Sequence, residues 1–140
     1  MNILFVCTGN TCRSPMAEAI LRQKKPEWQV KSAGLYAHPG EPASKGTTTV
    51  LAEKGIPHHH TSSQVTEELL DWADSVLTMT SSHKQLIDIH FPHFRDKVTL
   101  LKEIDGDVAD PFGGPDSAYR KTFEELDHYI SRWLEKEARK

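Results

Sequence analysis

The sequence predicts an α/β fold in which helices cover both faces of a parallel sheet. Four short runs with strand character alternate with helical segments, and this alternation is typical of right-handed βαβ crossovers. The first run, Ile3–Val6, contains no polar residue, as expected of a strand buried on both faces. The 140 residues contain neither a repeat nor a linker, so we expect one domain over residues 1–140.

The first half of the chain supplies two strands and three helices. The predicted elements are a strand over 3–6, a helix over 15–21, a strand over 28–33, a helix over 43–54 and a short helix over about 66–73. Pro15 suits a first helical turn, and polar and apolar residues alternate in the second strand, which ends before Gly34. Gly55 ends the second helix, and Thr66 is a plausible N-cap of the third.

The second half repeats the alternation and ends in a long helix. A strand is predicted over 75–79, a helix from Thr80 or Ser81 to Pro92, a strand over 98–101 and a loop over 103–114. Pro115 begins the last helix. Its apolar face is predicted from residues at helical spacing, namely Tyr119, Phe123, Leu126, Ile130 and Trp133.

The segment Cys7–Ser14 lies between the first strand and the first helix. Backbone N–H groups in such a loop converge on one point, and the helix dipole adds positive charge, so the loop is suited to an anion. Gly9 is free to take a positive φ, and Asn10 tolerates the left-handed region better than most residues. Arg13 supplies a charged fork that matches two phosphate oxygens. We expect these groups to lower the pKa of Cys7 into the range of about 3.5–7.5.

Cys7 and Arg13 form a Cys-x5-Arg motif that is followed by Ser14. Taken alone, the motif is also compatible with a buried structural cysteine and a surface arginine. Its position after the first strand resembles the low-molecular-weight protein tyrosine phosphatase family, and segments along nearly the whole chain resemble that family in the same order. The resemblance implies a four-stranded parallel sheet in the order 2-1-3-4.

Breaking a phosphate ester or phosphoramidate requires a carboxylic acid that protonates the leaving group, so such an acid should face Cys7. Asp105, Asp107 and Asp110 all lie in one loop, and composition does not choose among them. Asp110-Pro111-Phe112-Gly113-Gly114 resembles the Asp-Pro loop of the family, whose aspartate is the general acid. Proline also biases Asp110 towards an extended backbone.

The resemblance implies a mechanism that passes through a cysteinyl-phosphate. Cys7 attacks phosphorus, Arg13 stabilises the charge of the phosphoryl group, and Asp110 first protonates the leaving group and then activates water. Ser14 is expected to donate to the Cys7 sulfur, and Asn10 to hold the loop. The residues expected to bind substrate are Thr8, Gly9, Asn10, Thr11, Cys12, Ser14 and Phe112. The mechanism needs no metal and no cofactor.

The expected substrate is phosphoarginine in proteins. The chain most closely resembles the arginine phosphatase branch of the family, in which a threonine at the position of Thr11 accompanies this activity. Many tyrosine phosphatases of the family place a second aromatic residue where Gly113 stands. Hydrolysis of phosphotyrosine, with Thr11 filling space in the loop, is the alternative.

Three other hypotheses are weaker. Arsenate reductases of the same fold need two further cysteines downstream, but no cysteine follows Cys12. A module that only binds phosphate needs neither Cys7 nor Asp110. The run His58–His60 has no cysteine or acidic neighbour in sequence and is predicted to be a solvated loop rather than a metal site.

Cys12 is either a small structural residue or a disulfide partner for oxidised Cys7.

Composition restricts the partners and the location. A net charge of −3 and a pI of about 6.2 argue against a general nucleic-acid binder. No apolar run approaches the roughly 20 residues of a membrane span, and the apolar run at the N-terminus is too short for a signal peptide. Because a thiolate nucleophile needs a reducing compartment, we expect a cytoplasmic protein, most simply a monomer, that acts on phosphorylated proteins.

Overall fold

The computed structural model describes residues 1–56, 58–102 and 106–140, and within these ranges it contains a four-stranded parallel sheet. The strands are β1 (Asn2–Cys7), β2 (Gln29–Gly34), β3 (Ser75–Thr78) and β4 (Val98–Leu100). Their order across the sheet is β2-β1-β3-β4. The predicted α/β class and strand order are therefore confirmed.

The helices are close to their predicted bounds. They are α1 (Arg13–Lys24), α2 (Lys45–Glu53), α3 (Glu67–Trp72), α4 (Ser81–His90) and α5 (Asp116–Ala138), with a 3₁₀ helix over Pro92–Lys97. Side-chain caps fix three of the starts, because Ser44, Thr66 and Thr80 each accept a hydrogen bond from a backbone N–H three residues ahead. Thr80 rather than Ser81 is thus the cap of α4.

The hydrophobic core lies on both faces of the sheet. β1 is central, and its side chains alternate between the two faces, so that Ile3 and Phe5 join one cluster while Leu4 and Val6 join the other. The first cluster packs against α1, α2 and α5, and the second lies under α3 and α4. Among the described residues, no helix combines the length and the hydrophobicity needed to cross a bilayer.

The carboxyl end of β1 is closed tightly by its neighbour β2. Cys7 is in register with Gly34. A Cβ atom at Gly34 would lie 2.4 Å from the carbonyl oxygen of Thr8 and 3.0 Å from the backbone nitrogen of Asn10. Because neither backbone group can retreat easily, glycine is required here for the loop after β1 to fold against β2.

Candidate active site

The loop that joins β1 to α1 is shaped around Asn10. Its backbone takes φ of 59°, whereas Gly9 is not among the residues with positive φ. Of the two residues that the sequence offers for the left-handed conformation, Asn10 is therefore the one that adopts it. Asparagine tolerates this region better than most residues, and the bonds made by its side chain stabilise it there.

The Asn10 side chain is buried and fully engaged. Its Nδ2 donates to the hydroxyls of Ser14 at 2.8 Å and Ser32 at 2.9 Å, and its Oδ1 accepts from the backbone N–H of Ser63 at 2.8 Å. The carbonyl oxygen of Asn10 lies 2.6 Å from Nε2 of His60. These bonds join the loop to β2 and to the segment before α3, so we infer that Asn10 fixes the shape of the loop.

The sulfur of Cys7 lies at the floor of the loop. It is 2.8 Å from the Ser14 hydroxyl, and it accepts from the backbone N–H of Asn10 at 3.3 Å. Burial raises the pKa of the Cys7 thiol above its ordinary value, while hydrogen bonds from Ser14 and Asn10 and the charge of Arg13 oppose that rise. The expectation of a lowered pKa is wrong for this structure, because the loss of hydration outweighs the stabilising groups.

Ser14→Ala should raise the pKa of Cys7 further, because the side-chain hydrogen bond from Ser14 is the largest of the effects that lower it. The alkylation rate of Cys7 by iodoacetamide follows the thiolate population, so its pH midpoint should move to higher pH. Intact-mass analysis measures that rate. Ser44→Ala is the matched control, since Ser44 contacts Cys12 and not Cys7. A midpoint that falls in Ser14→Ala would contradict the role given to this hydroxyl.

Arg13 connects the loop to the segment before α5. The residue is only 4% exposed; Nη1 donates to the carbonyl oxygen of Val108 at 3.0 Å, and Nη2 lies 3.5 Å from Oδ2 of Asp110. Its Nε is buried with no hydrogen-bond partner among residues 1–56, 58–102 and 106–140. A buried donor without a partner on a charged group is costly, and an anion in the loop would supply that partner.

The aspartates of the loop predicted over 103–114 differ in their contacts. Asp107 accepts a hydrogen bond from the backbone N–H of Ser81 at 2.8 Å and so serves the start of α4. Asp110 is half exposed beside Arg13, and its Oδ1 accepts from the backbone N–H of Phe112 at 3.1 Å. Asp105 lies outside the described residues. Of the two described aspartates in this loop, Asp110 is therefore the one whose carboxyl group lies beside Arg13 and lines the cavity over Cys7.

A cavity of about 200 Å³ opens over the sulfur. Its lining residues are Cys7, Thr8, Gly9, Thr11, Cys12, Arg13, Asp110 and Phe112. Phe112 is 73% exposed at this cavity, where it can contact the organic part of a substrate. Asn10 and Ser14 were predicted to bind substrate, but they are buried and do not line the cavity. They support the loop instead, through Asn10 Nδ2 and the Ser14 hydroxyl.

Two further residues support the site and were not predicted to do so. His83, on α4, lies with Nε2 2.8 Å from the hydroxyl of Thr8, and burial together with the charge of Arg13 lowers its pKa to about 4. The hydroxyl of Tyr119 lies 3.5 Å from the sulfur of Cys12. The sequence predicts Tyr119 on the apolar face of the last helix and predicts no role for His83. The position of His83 could have indicated this role, because His83 lies just after the cap of α4, at the carboxyl edge of the sheet.

The prediction of a solvated histidine run is wrong for two of its three members. The side chain of His58 is 4% exposed and lies 3.5 Å from Oε2 of Glu18, while His60 contacts the backbone of Asn10. His59 is exposed. Sequence adjacency gave no acidic neighbour, but the fold brings Glu18 from α1 against this segment.

The arrangement is suited to displacement at phosphorus. A thiol lies at the floor of a loop that can hold an anion, a guanidinium flanks it, and a carboxyl group stands across the cavity. A thiol, a guanidinium and a carboxyl group are the types of group that serve as nucleophile, charge stabiliser and acid in such displacements.

Proteins of similar sequence are phosphatases. The family model described as low molecular weight phosphotyrosine protein phosphatase matches residues 2–140. A protein-arginine-phosphatase of Geobacillus stearothermophilus is 53% identical, over 96% of this chain and 94% of its own. The low molecular weight protein-tyrosine-phosphatase PtpB of Staphylococcus aureus is 43% identical, over 90% of this chain and 91% of its own.

A solved structure of an arginine phosphatase also superposes on this fold. The C7S mutant of YwlE arginine phosphatase, with a phosphorylated active-site serine, superposes with a TM-score of 0.94 at 46% identity, covering 100% of this chain and 97% of its own. The family match spans nearly every residue, and the relatives are aligned over almost their full length. The chain belongs to the low molecular weight phosphotyrosine protein phosphatase family and is a cysteine-based phosphatase.

Proposed function

We propose that this chain hydrolyses phosphoarginine in proteins, with Cys7 as the nucleophile, Arg13 as the charge stabiliser and Asp110 as the general acid and base. The observation that carries the arginine assignment is the position of Thr11 in the wall of the cavity. Two relatives that are 53% and 47% identical are protein-arginine-phosphatases, which supports it.

The proposed reaction has two displacements. In the first, the Cys7 thiolate forms a sulfur–phosphorus bond while the phosphorus–nitrogen bond breaks, and Asp110 gives its proton to the departing guanidine nitrogen. In the second, Asp110 takes a proton from water, which attacks phosphorus and releases phosphate and the thiolate. The loop amides and Arg13 stabilise the charge on the equatorial oxygens in both steps. Ser14, which is 2.8 Å from the sulfur, stabilises the thiolate as it leaves.

Thr11 offers a β-branched wall with a hydroxyl oxygen. Its backbone is held by the N–H of Ser44, which donates to the Thr11 carbonyl oxygen at 2.8 Å. A hydroxyl oxygen accepts a hydrogen bond from a guanidinium N–H, which a phenol ring does not provide. The β-branch also narrows the wall and keeps the side chain in few rotamers.

The segment after Asp110 favours a planar cation over a sandwiched phenol ring. Phe112 supplies one aromatic face, on which a guanidinium can stack. Gly113 has φ of 81°, in which any L side chain would be strained, so a second aromatic residue is disfavoured at this position. Among the described residues that line the cavity, Phe112 is the only aromatic one, so we expect the substrate to contact one ring rather than two.

Phosphotyrosine is the second candidate substrate. It is favoured by the exposed ring of Phe112, which can pack against a phenyl group, and by the 43% identity to a protein-tyrosine-phosphatase. Discrimination by one side chain is worth about 1–3 kcal/mol in such a pocket, so some activity on phosphotyrosine is expected beside the main activity.

Thr11→Ile tests the substrate assignment. It removes the hydroxyl acceptor and keeps the β-branch, so kcat/KM for phosphoarginine should fall by about 10–200-fold while that for phosphotyrosine stays or rises. Thr8→Val is the matched control for the ratio of the two kcat/KM values: it removes another hydroxyl of the same cavity, so loss of its contact with His83 can lower both values but should leave their ratio unchanged. The proposal fails if the unaltered enzyme prefers phosphotyrosine, or if Thr11→Ile leaves the ratio of the two kcat/KM values unchanged.

Mild peroxide should inactivate the enzyme reversibly. Cys7 and Cys12 are both free thiols, and both line the cavity. A sulfenic acid on Cys7 can condense with Cys12 to form a disulfide, which a thiol reductant then opens. Intact mass should show the loss of two hydrogen atoms. In Cys12→Ser, the same treatment should give adducts that the reductant does not remove; finding such adducts in the unaltered enzyme would exclude protection by Cys12.

The remaining expectations form part of the same proposal. The substrates are phosphorylated proteins, the catalytic domain spans residues 1–140, and the mechanism uses no cofactor. We place the enzyme in the cytoplasm because its thiol requires reducing conditions, and we expect it to act as a monomer. The net charge of −3 supports a partner other than nucleic acid.

A further inference from the structure

A second polar cluster lies next to the loop Cys7–Ser14 and takes no part in the proposed reaction. It comprises Glu18 on α1 together with His58 and His60 from the segment before α3. One oxygen or nitrogen from each of the three residues can be chosen so that all three atoms lie within 4.8 Å of one another. Three side chains of metal-binding type therefore converge, although Glu18 is far from the two histidines in sequence.

His58 has a ring nitrogen without a hydrogen-bond partner. Its side chain is 4% exposed, and Nε2 is buried and makes no hydrogen bond in the described part of the chain. A neutral imidazole is the form that coordinates metals, and a buried polar atom without a partner is otherwise costly.

We propose that Glu18, His58 and His60 bind a divalent transition-metal ion, for which Zn²⁺ is the best match. Imidazole nitrogens and a carboxylate oxygen are ligands that Zn²⁺ accepts, at bond lengths of about 2.0–2.2 Å. A tetrahedral site with those lengths places neighbouring ligand atoms about 3.3–3.6 Å apart. Oε2 of Glu18 and Nε2 of His58 are separated by 3.5 Å, which fits such an edge.

The groups around the cluster orient its members as ligands. Nε2 of His60 lies 2.6 Å from the carbonyl oxygen of Asn10 and so must carry the hydrogen, which leaves the lone pair on Nδ1. Oε1 of Glu18 accepts from the hydroxyl of Ser32 at 2.5 Å, so Oε2, which now pairs with Arg22, is the oxygen that would bind the metal. Hydrogen bonds of this kind fix the orientation of metal ligands in proteins.

Among the described residues, two cationic side chains near the cluster oppose a metal ion: Lys31, which lines the cavity with Glu18 and His60, and Arg22, which is paired with Glu18. Nη2 of Arg22 lies 2.9 Å from Oε2 of Glu18, but the Arg22 side chain is half exposed, and it also donates to the carbonyl oxygen of Val30 through Nε and Nη2. Arg22 can therefore leave the carboxylate while it keeps another partner. Two open cavities flank the cluster, one lined by His58 and the other by Glu18 and His60, so an ion can enter from the surface.

The proposed metal site would be coupled to the loop Cys7–Ser14. His60 contacts the carbonyl oxygen of Asn10, and Glu18 is joined through Ser32 to the side chain of the same residue. Asn10 in turn bonds to Ser14, the hydroxyl partner of Cys7. A bound ion would hold two sides of Asn10 and so strengthen the loop without contacting substrate.

Co²⁺ is a suitable probe, because tetrahedral Co²⁺ gives intense visible d–d bands and coordination by sulfur adds a near-ultraviolet charge-transfer band. The titration uses EDTA-treated Cys7→Ser protein, which lacks the active-site thiol. We expect intense d–d bands with one-to-one stoichiometry and no sulfur band. In this background, His58→Ala and Glu18→Gln should each weaken Co²⁺ binding by at least about tenfold. His59→Ala is the matched control and should bind as before, since His59 is exposed.

The outcomes separate a metal site from a simple structural cluster. The proposal is overturned by weak octahedral spectra, by a sulfur charge-transfer band, or by binding that His58→Ala leaves unchanged. Equal loss in His59→Ala would also overturn it. Thermal unfolding in EDTA identifies variants that fold poorly. If Glu18→Gln fails this check, His58→Ala and His60→Ala decide the result.

Discussion

Cys7→Ser should reduce multiple turnover to background while the protein stays folded. A serine hydroxyl is far less ionised than a thiol at neutral pH, so the nucleophile is lost even though the atom remains in place. The fold should persist because the hydroxyl can replace sulfur in the contacts with Ser14 and the backbone N–H of Asn10.

The measurement is steady-state hydrolysis of an aryl phosphate and of phosphoarginine, with thermal unfolding to check the fold. Cys12→Ser is the matched control: it removes the other thiol, whose sulfur contacts Ser44 and Tyr119, and should keep most of the turnover. Sustained turnover by Cys7→Ser, free of wild-type contamination, would exclude Cys7 as the nucleophile.

The fold could be predicted from sequence because its signals are local. The apolar run of β1, the caps Thr66 and Thr80 and the long apolar face of α5 each act over a few residues, and each lies close to its predicted place. The meeting of Cys7 and Arg13 in one cavity could also be predicted, since one loop contains both; their catalytic roles stay predictions. Choosing Asp110 needed the family resemblance. The structure adds a physical difference, because Asp107 is engaged at the start of α4.

Contacts between distant segments could not be predicted. Glu18 and His58 meet because α1 packs beside the segment that precedes α3, and no local pattern encodes that approach. His83 reaches Thr8 from α4 in the same way. The raised pKa of Cys7 has a related cause: the sequence names the groups that stabilise a thiolate, but the extent of burial follows from the packing of the whole site.

Asp110→Asn should lower kcat by roughly 10²–10⁴, the usual contribution of general acid–base catalysis. The substitution is nearly isosteric, and its amide oxygen can still accept from the backbone N–H of Phe112 as Oδ1 does now. The loop should therefore keep its shape while the acid is lost. The loss should be largest for phosphoarginine, whose nitrogen needs a proton to leave, and smaller for aryl phosphates with acidic phenols.

Asp107→Asn is the matched control, because it changes the same charge in the same loop. Its amide oxygen can still accept from the backbone N–H of Ser81, so α4 should be undisturbed and kcat close to that of the unaltered enzyme. The measurement is kcat against the pKa of the leaving group for both variants. A steeper dependence in Asp110→Asn than in the unaltered enzyme identifies a lost acid, since the leaving group must then depart without a proton. If Asp107→Asn gives the steep dependence and Asp110→Asn does not, Asp107 is the acid and the hydrogen bond to Ser81 must break during catalysis.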